Sequence, residues 1–549
     1  MSDYRKMFDG LPALRRDYQD LDRLAMIMSG RGKFTDKVLP AWRKFLQRVL
    51  DYLFGKPVQI PSGYTYLGQF IIHDISNTER SNRHHRRDLP WENDGDPDYW
   101  RTVRNLREPD FNLETVYGHW RPNNPGETPR SDLLDQSSPL PFLRVGKSAP
   151  SGGPGSMASL EFPCDLVRTN KNPEAVIVDP RNDENLVLAQ TLLAFIKFHN
   201  ALVVKLSRKE EYKNPDGSYK KEKIFNKARE LNIRYYQTII LTDFLPRIVR
   251  QKCLNQVIRD LNTGSMFYQP VAESFIPVEF SVAAFRFGHS MILPRYNFNV
   301  FRSKDPASED DESATLRDLQ LFTGFGGMPD LPSGWIIDWR FFYEMGSGTP
   351  NTAAPIDTIL PETLMKLRPR IKNYSSGRAS SLAALDFFRA RQFFIASGQD
   401  IARRMKIKPL SSRTIANMIW DKPIKRSDVT SDADILKIKK ALVAAFSDST
   451  PLWFYILAEA ENQRDKKLGP VGGRIVAETV TQLIYNSEHS VLRCKWQSGD
   501  DDLLIGGERF DMPELLKTIA RTRKDMPNEA YPLWKYFDEV NPLGDGALS

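Results

Sequence analysis

Cysteine is nearly missing from this chain. Cys164, Cys253 and Cys494 are the only three in 549 residues, far apart and odd in number. They make no disulfide framework and no CxxC metal knuckle, and a reducing cytoplasm is the expected setting. Also missing is an uninterrupted apolar run near the roughly 18–20 residues that cross a bilayer. The longest, LVLAQTLLAFIKFHNALVV (186–204), is broken by Gln190, Lys197, His199 and Asn200. The first twenty residues carry no apolar core of the signal-peptide kind. No membrane span is expected.

Histidine is scarce, at seven, and no internal repeat of fixed period occurs. Net charge is only +8, with 41% apolar and 27% charged residues. That is an ordinary soluble composition, and nucleic acid is not an expected partner. The one basic cluster, RSNRHHRRDLP (80–90), has the composition of a solvated loop. Its adjacent His84 and His85 would point apart on a helix or strand, which argues against a shared metal.

Strand-like alternation is short and rare, as in EAVIVD (174–179). Helical periods dominate. Apolar spacing predicts helices over 183–209, 226–249, 452–462 and 473–487, the first capped by Asn182 or Asp183. Residues 78–180 are irregular, rich in Pro, Asn, Asp and Gly. The expected fold is mostly α: a single large helical domain over 57–490, with few short strands and that long irregular region. A helical lead-in (1–56, with LPAWRKFLQRVLDYLFGK at 39–56) precedes it. A C-terminal extension (491–549) is expected to pack on it.

Four segments carry candidate chemistry. In GQFIIHD (68–74), Gln69 and His73 are four apart and share a helical face. An amide beside an imidazole can hold a water or small ligand, or be a satisfied buried pair. In DPRNDEN (179–185), Arg181 could steady a departing oxyanion, or simply pair with Asp179 or Asp183. In AAFRFGHSMILP (283–294), Arg286 stands three residues before His289, and Gly288 lets a flat body approach. In LAALDFFRARQ (382–392), Asp386 and Arg389 are three apart. Together these provide two histidines, several arginines and a carboxylate in apolar helical frames. That set suits a haem held between helices: one imidazole on the iron, one over the open face, arginines for the propionates.

In this order the segments resemble the animal-type haem peroxidases of the peroxidase–cyclooxygenase superfamily, most closely its bacterial members. YTYLGQFIIHD looks like the distal helix, DPRNDEN the distal-arginine segment and FRFGH the proximal motif. TPLWFYILAEAE and LGPVGGRIVAETV look like the C-terminal helices. The resemblance runs from about residue 57 to 487. It implies a haem b enzyme that reduces hydrogen peroxide and oxidises a small electron donor (a phenol, a halide or pseudohalide, or a specific metabolite) through Compound I. His73 would then be the distal acid–base residue, with Gln69 beside it and Arg181 as the distal arginine. His289 would be the iron ligand, with Arg286 and Arg389 near the propionates. Glu184 matches a glutamate that forms a haem ester in mammalian relatives.

The departures are specific. Ile72 stands where mammalian relatives have an aspartate that makes a second ester, so that bond cannot form. Asn185 stands where one of them has a methionine that links to haem, which excludes that link too. Asp386 stands where the family usually has an asparagine. An anionic partner on the outer nitrogen makes the ligand more basic and lowers the iron's potential, so a weaker oxidant is expected. The resemblance also implies calcium at Asp74 with Glu108, Asn112 and Glu114, all oxygen donors; a salt bridge from Asp74 is the alternative.

Fatty-acid oxygenases of the superfamily carry a radical-bearing tyrosine three residues before the proximal histidine. Here that residue is Arg286, which favours a peroxidase. A haem-binding protein without turnover is a second alternative.

Overall fold

The periodicity of residues 186–204 becomes the centre of the core. The structure, a computed structural model, describes residues 2–14, 16–31, 59–78, 103–119, 130–153, 156–169, 172–269, 273–303, 312–328, 330–365, 381–424, 431–497, 510–522 and 540. The helices used below are α1 (Tyr18–Ile27), α2 (Gly63–Ile75), α3 (Leu186–Ser207), α4 (Lys221–Ile239), α5 (Gln251–Thr263), α6 (Leu382–Gln392), α7 (Leu452–Glu461), α8 (Pro470–Asn486) and α9 (Met512–Thr522). Helices α2, α4 and α9 pack on α3, while α5 packs on α8 and α1 on α6.

Twenty of the 22 residues of α3 are buried. A helix apolar on all sides is stable only when surrounded. The polar interruptions do not remove its membrane-like character. Among the described residues it is the one helix long and apolar enough to cross a bilayer. Yet it is almost wholly buried inside this fold. Its N-cap is Asn185, whose side chain accepts from Leu188 N, and not Asn182 or Asp183 as the sequence predicts. The reason is local: Pro180–Asp183 forms a separate 3₁₀ turn capped by Asp179, which takes both residues out of the helix.

The helix predicted over 226–249 begins earlier, at Lys221, and is interrupted by one π turn, Ile240–Phe244, before Leu245–Ile248. Asp243 in that turn accepts from Tyr64 Oη at 2.7 Å, which ties α2 to the break. The other two predicted helices are α7 and α8.

Strands are few and short. Ser2–Arg5 lies between Arg104–Asn105, antiparallel, and Ile276–Pro277, parallel. The lead-in therefore starts as a strand. Its Tyr4, Phe8, Leu21 and Leu24 join the same apolar cluster as α3. Of EAVIVD, only its first two residues are in a strand, Asn172–Ala175, which pairs with Arg168–Thr169. Helix α9 packs on α3 and buries Met512, Leu515, Leu516 and Ile519 in that cluster. The segments 39–56 and 80–90, with His84 and His85, lie outside the described residues.

Helix α2 buries 11 of its 13 residues; Gln69 and Ile72 are the other two. Its N-terminus is fixed by backbone. Ser62 N donates to Asn351 O at 2.7 Å and Gly63 N to Phe342 O at 3.0 Å. A Cβ on Gly63 would lie 2.6 Å from Phe342 O and 2.5 Å from the Tyr343 ring. Neither the backbone oxygen nor the buried ring can retreat. Gly63→Ala should therefore cost about 1–3 kcal/mol through overpacking, read as a lower melting temperature. An unchanged melting temperature would mean that this contact relaxes freely.

Candidate active site

The less covered face of α2 carries Gln69, Ile72 and His73. His73 is buried, and its Nδ1 lies 2.9 Å from Asn182 Oδ1. Asn182 donates through Nδ2 to Thr115 Oγ1, so its amide oxygen is the atom turned to His73. An amide oxygen only accepts, so Nδ1 carries the ring proton and Nε2 keeps the lone pair. Burial, and then the charge of Arg181, push His73 down to about 3. It is neutral through the physiological range. The Asn182 contact is invisible in the sequence because the partners are 109 residues apart.

Gln69 reaches the segment preceding α3. Its Nε2 donates to Glu184 Oε2 at 3.5 Å, and its Oε1 accepts from Asn185 Nδ2 at 3.3 Å. Burial pushes Glu184 up to about 7. Thus Gln69, His73, Glu184 and Asn185 lie together, as the sequence predicts for the first three.

Arg181 lies beside them but is engaged. Its Nε and Nη2 donate to Asp179, Nη2 at 2.6 Å. Nη2 also donates to the carbonyls of Ser76 at 2.7 Å and His73 at 3.2 Å. Of the two sequence-level options, pairing with Asp179 is what the geometry contains, and it draws the guanidinium onto the C-terminal end of α2.

The short helix Gly288–Met291 packs against α2 and brings in His289. His289 Nδ1 lies 2.8 Å from Asp386 Oδ2 on α6. A carboxylate can only accept, so Nδ1 is protonated and Nε2 is left as a donor to a metal. Asp386 also receives Arg286 on its other oxygen, and Arg286 Nε donates to Ser281 O. Burial would raise Asp386, but Arg286, His289 and Arg389 outweigh it and hold the carboxyl below its ordinary value. Arg286 is thus committed to Asp386, while Arg389 stands close enough to act on the same carboxylate. Trp453, unnoticed in the sequence, donates its indole N–H to Arg286 O at 3.2 Å and sets its ring edgewise to His289. A Cβ on Gly288 would meet nothing within 4 Å, so the space beside the histidine is open.

Among the described residues the Nε2 atoms of His73 and His289 have no hydrogen-bond partner, and with the partly open face of α2 and the open space at Gly288 these side chains fit a haem. His289 would ligate the iron.

The calcium set fits poorly. Asp74 caps the turn Glu114–Tyr117, accepting from Leu113 N at 3.2 Å and Thr115 N at 3.0 Å, and burial pushes it up to about 7. Glu114 is paired with Arg107. Asn112 donates to Asp110 and accepts from Ser487 Oγ. Glu108 contributes its backbone N–H to Glu114. Among the described residues no three His, Cys, Asp or Glu side chains gather to hold a metal ion.

The chain is 29% identical over 159 residues to a chorion peroxidase of Aedes aegypti, covering 26% of this chain and 19% of that protein. It is 27% identical over 239 residues to the eosinophil peroxidase of Homo sapiens, covering 42% and 29%. The chain spans less than a third of the length of these curated relatives. Among solved structures, the fatty acid alpha-dioxygenase of Oryza sativa shares the fold, with a TM-score of 0.52, 15% identity and coverage of 97% of this chain and 82% of that one. The animal haem peroxidase family model matches residues 151–478, which contain Arg181, Glu184, Arg286, His289, Asp386 and Arg389, with α2 lying ahead of it. The match spans more than half of the chain, and the protein belongs to the animal haem peroxidase family.

Proposed function

We propose that this protein is a haem-dependent peroxidase that reduces hydrogen peroxide and oxidises a small organic donor such as a phenol. The observation that carries this assignment is the asymmetry of the two histidines. His289 donates its Nδ1–H in a hydrogen bond to a carboxylate, Asp386, the partner that makes an imidazole an electron-rich ligand. His73 donates its Nδ1–H in a hydrogen bond to a neutral amide, Asn182, which orients the ring without charging it. One histidine is set up to hold iron and the other to handle a proton.

Bound haem would supply the redox centre at which the peroxide O–O bond is cleaved. The chain's own residues supply the rest. Nε2 of His73 accepts a proton from peroxide. A base whose pKa is pushed down to about 3 holds that proton weakly and returns it readily to the leaving oxygen. Arg181, on the carbonyl of His73, adds positive charge nearby. Gln69 offers an amide one helical turn from His73 and is itself steadied by Glu184 and Asn185. Glu184 is also the candidate for a single haem ester. Arg286 supports peroxidase over oxygenase chemistry, since the position three residues before His289 holds a guanidinium tied to Asp386. The anionic partner of His289 favours organic donors over halides that are hard to oxidise.

In stopped-flow mixing of the haem-loaded protein with hydrogen peroxide, His73→Leu should slow the spectral change about 10²–10⁴-fold while the Soret band remains. Equal rates would remove His73 from the mechanism. The pH dependence follows from the same group: the neutral form needed as base persists above about 3. The rate should therefore stay level from pH 8 to near pH 4, and a decline centred on the ordinary histidine value of ~6.5 would contradict this. Asp386→Asn should raise the ferric/ferrous potential in a spectroelectrochemical titration; no rise would mean that Arg286 already cancels the carboxylate.

A further inference from the structure

Arg107 has no part in the chemistry above, yet its guanidinium is only 6% exposed. Nη1 donates to Glu114 at 2.7 Å and Nη2 to Asp179 at 2.8 Å. Asp179 is the carboxylate that also receives Arg181, and Arg181 continues to the carbonyls of His73 and Ser76. An unbroken chain of charged hydrogen bonds thus runs Glu114–Arg107–Asp179–Arg181 to the end of α2. Burial alone would raise Asp179, but Arg181, His73 and Arg107 hold it well below the ordinary carboxylate range.

Glu114 belongs to the set to which the family resemblance assigns calcium. Here that carboxylate faces a guanidinium, and the two carboxylates of the chain, Glu114 and Asp179, are matched by two arginines. A divalent cation in the same buried space would have to compete with a fixed positive charge for a spent ligand. Its neighbour Asn112 is held by Asp110 and Ser487.

We infer that Arg107 is an internal cation standing in for calcium. It is a positioning residue that fastens the loop around 103–118 to Asp179, and through Arg181 to His73, in a protein that needs no calcium. The inference rests on His73 and Arg181 acting on peroxide as proposed above.

The test uses the full-length haem-loaded protein. Metal analysis should find calcium far below one per chain, and neither EGTA nor added calcium should change the melting temperature or the peroxide rate. Arg107→Gln should lower the peroxide rate at least tenfold, with no rescue by calcium, and Arg107→Lys should recover part of it. The acid limb of the pH–rate profile should move upward in Arg107→Gln, a change that a merely destabilised fold would not produce. Stoichiometric calcium whose removal lowers the melting temperature would overturn the inference, as would wild-type kinetics and pH profile in Arg107→Gln. A wild-type protein inert to peroxide, but calcium-free and destabilised by Arg107→Gln, would sink the peroxidase assignment and leave the internal cation standing.

Discussion

The hydrogen bond between His73 Nδ1 and Asn182 Oδ1 is the contact on which the site depends. It joins the end of α2 to the 3₁₀ turn that leads into α3, and it is possible only because both elements are buried on the same core. Asn182 is itself oriented by Thr115, so the amide cannot flip without losing a partner. Three chain segments thereby fix which nitrogen of one ring carries a proton. Without that constraint, His73 would be one more neutral histidine in an apolar helix.

The opposite side uses the same device with another partner. Asp386 fixes the tautomer of His289 as Asn182 fixes that of His73, but it brings a charge, and Arg286 shares that charge. Asp386 stands where the family resemblance leads one to expect an asparagine, and Arg286 is paired with it. The whole assembly is held by dense packing: Trp453 lies fully buried against His289, and Tyr64, Asp243 and Arg247 lock the far end of α2 to the π turn.

Much of the framework was legible in the sequence. The buried helices announce themselves because a 3.6-residue apolar period survives any tertiary context. Their edges were less legible. The N-cap of α3 falls at Asn185 because Asp179 caps a turn of its own just before it. The interruption at Ile240–Phe244 leaves no periodic trace. The candidate residues were visible in the sequence, and the structure gathers Gln69 and Glu184 beside His73 on one side and His289, Asp386, Arg286 and Arg389 on the other. Their partners were not. Asn182, Thr115 and Trp453, and Arg107 in its bond to Asp179, act through contacts that span 67 to 167 residues, and no local pattern encodes such pairings.

By itself the sequence determined the helical class, the residue types at each candidate position and the family. Ile72 and Asn185 stand, on the family resemblance, where mammalian relatives make haem bonds, and neither carries the atoms for one. Only the tertiary structure decided the states of those residues: which ring nitrogen is free, which carboxylate each arginine takes, and whether Glu114 faces a metal or a guanidinium. The physical reason is that composition and spacing fix what a side chain can do. Protonation and pairing, by contrast, depend on burial and on the charge placed opposite, which exist only once distant segments have packed together.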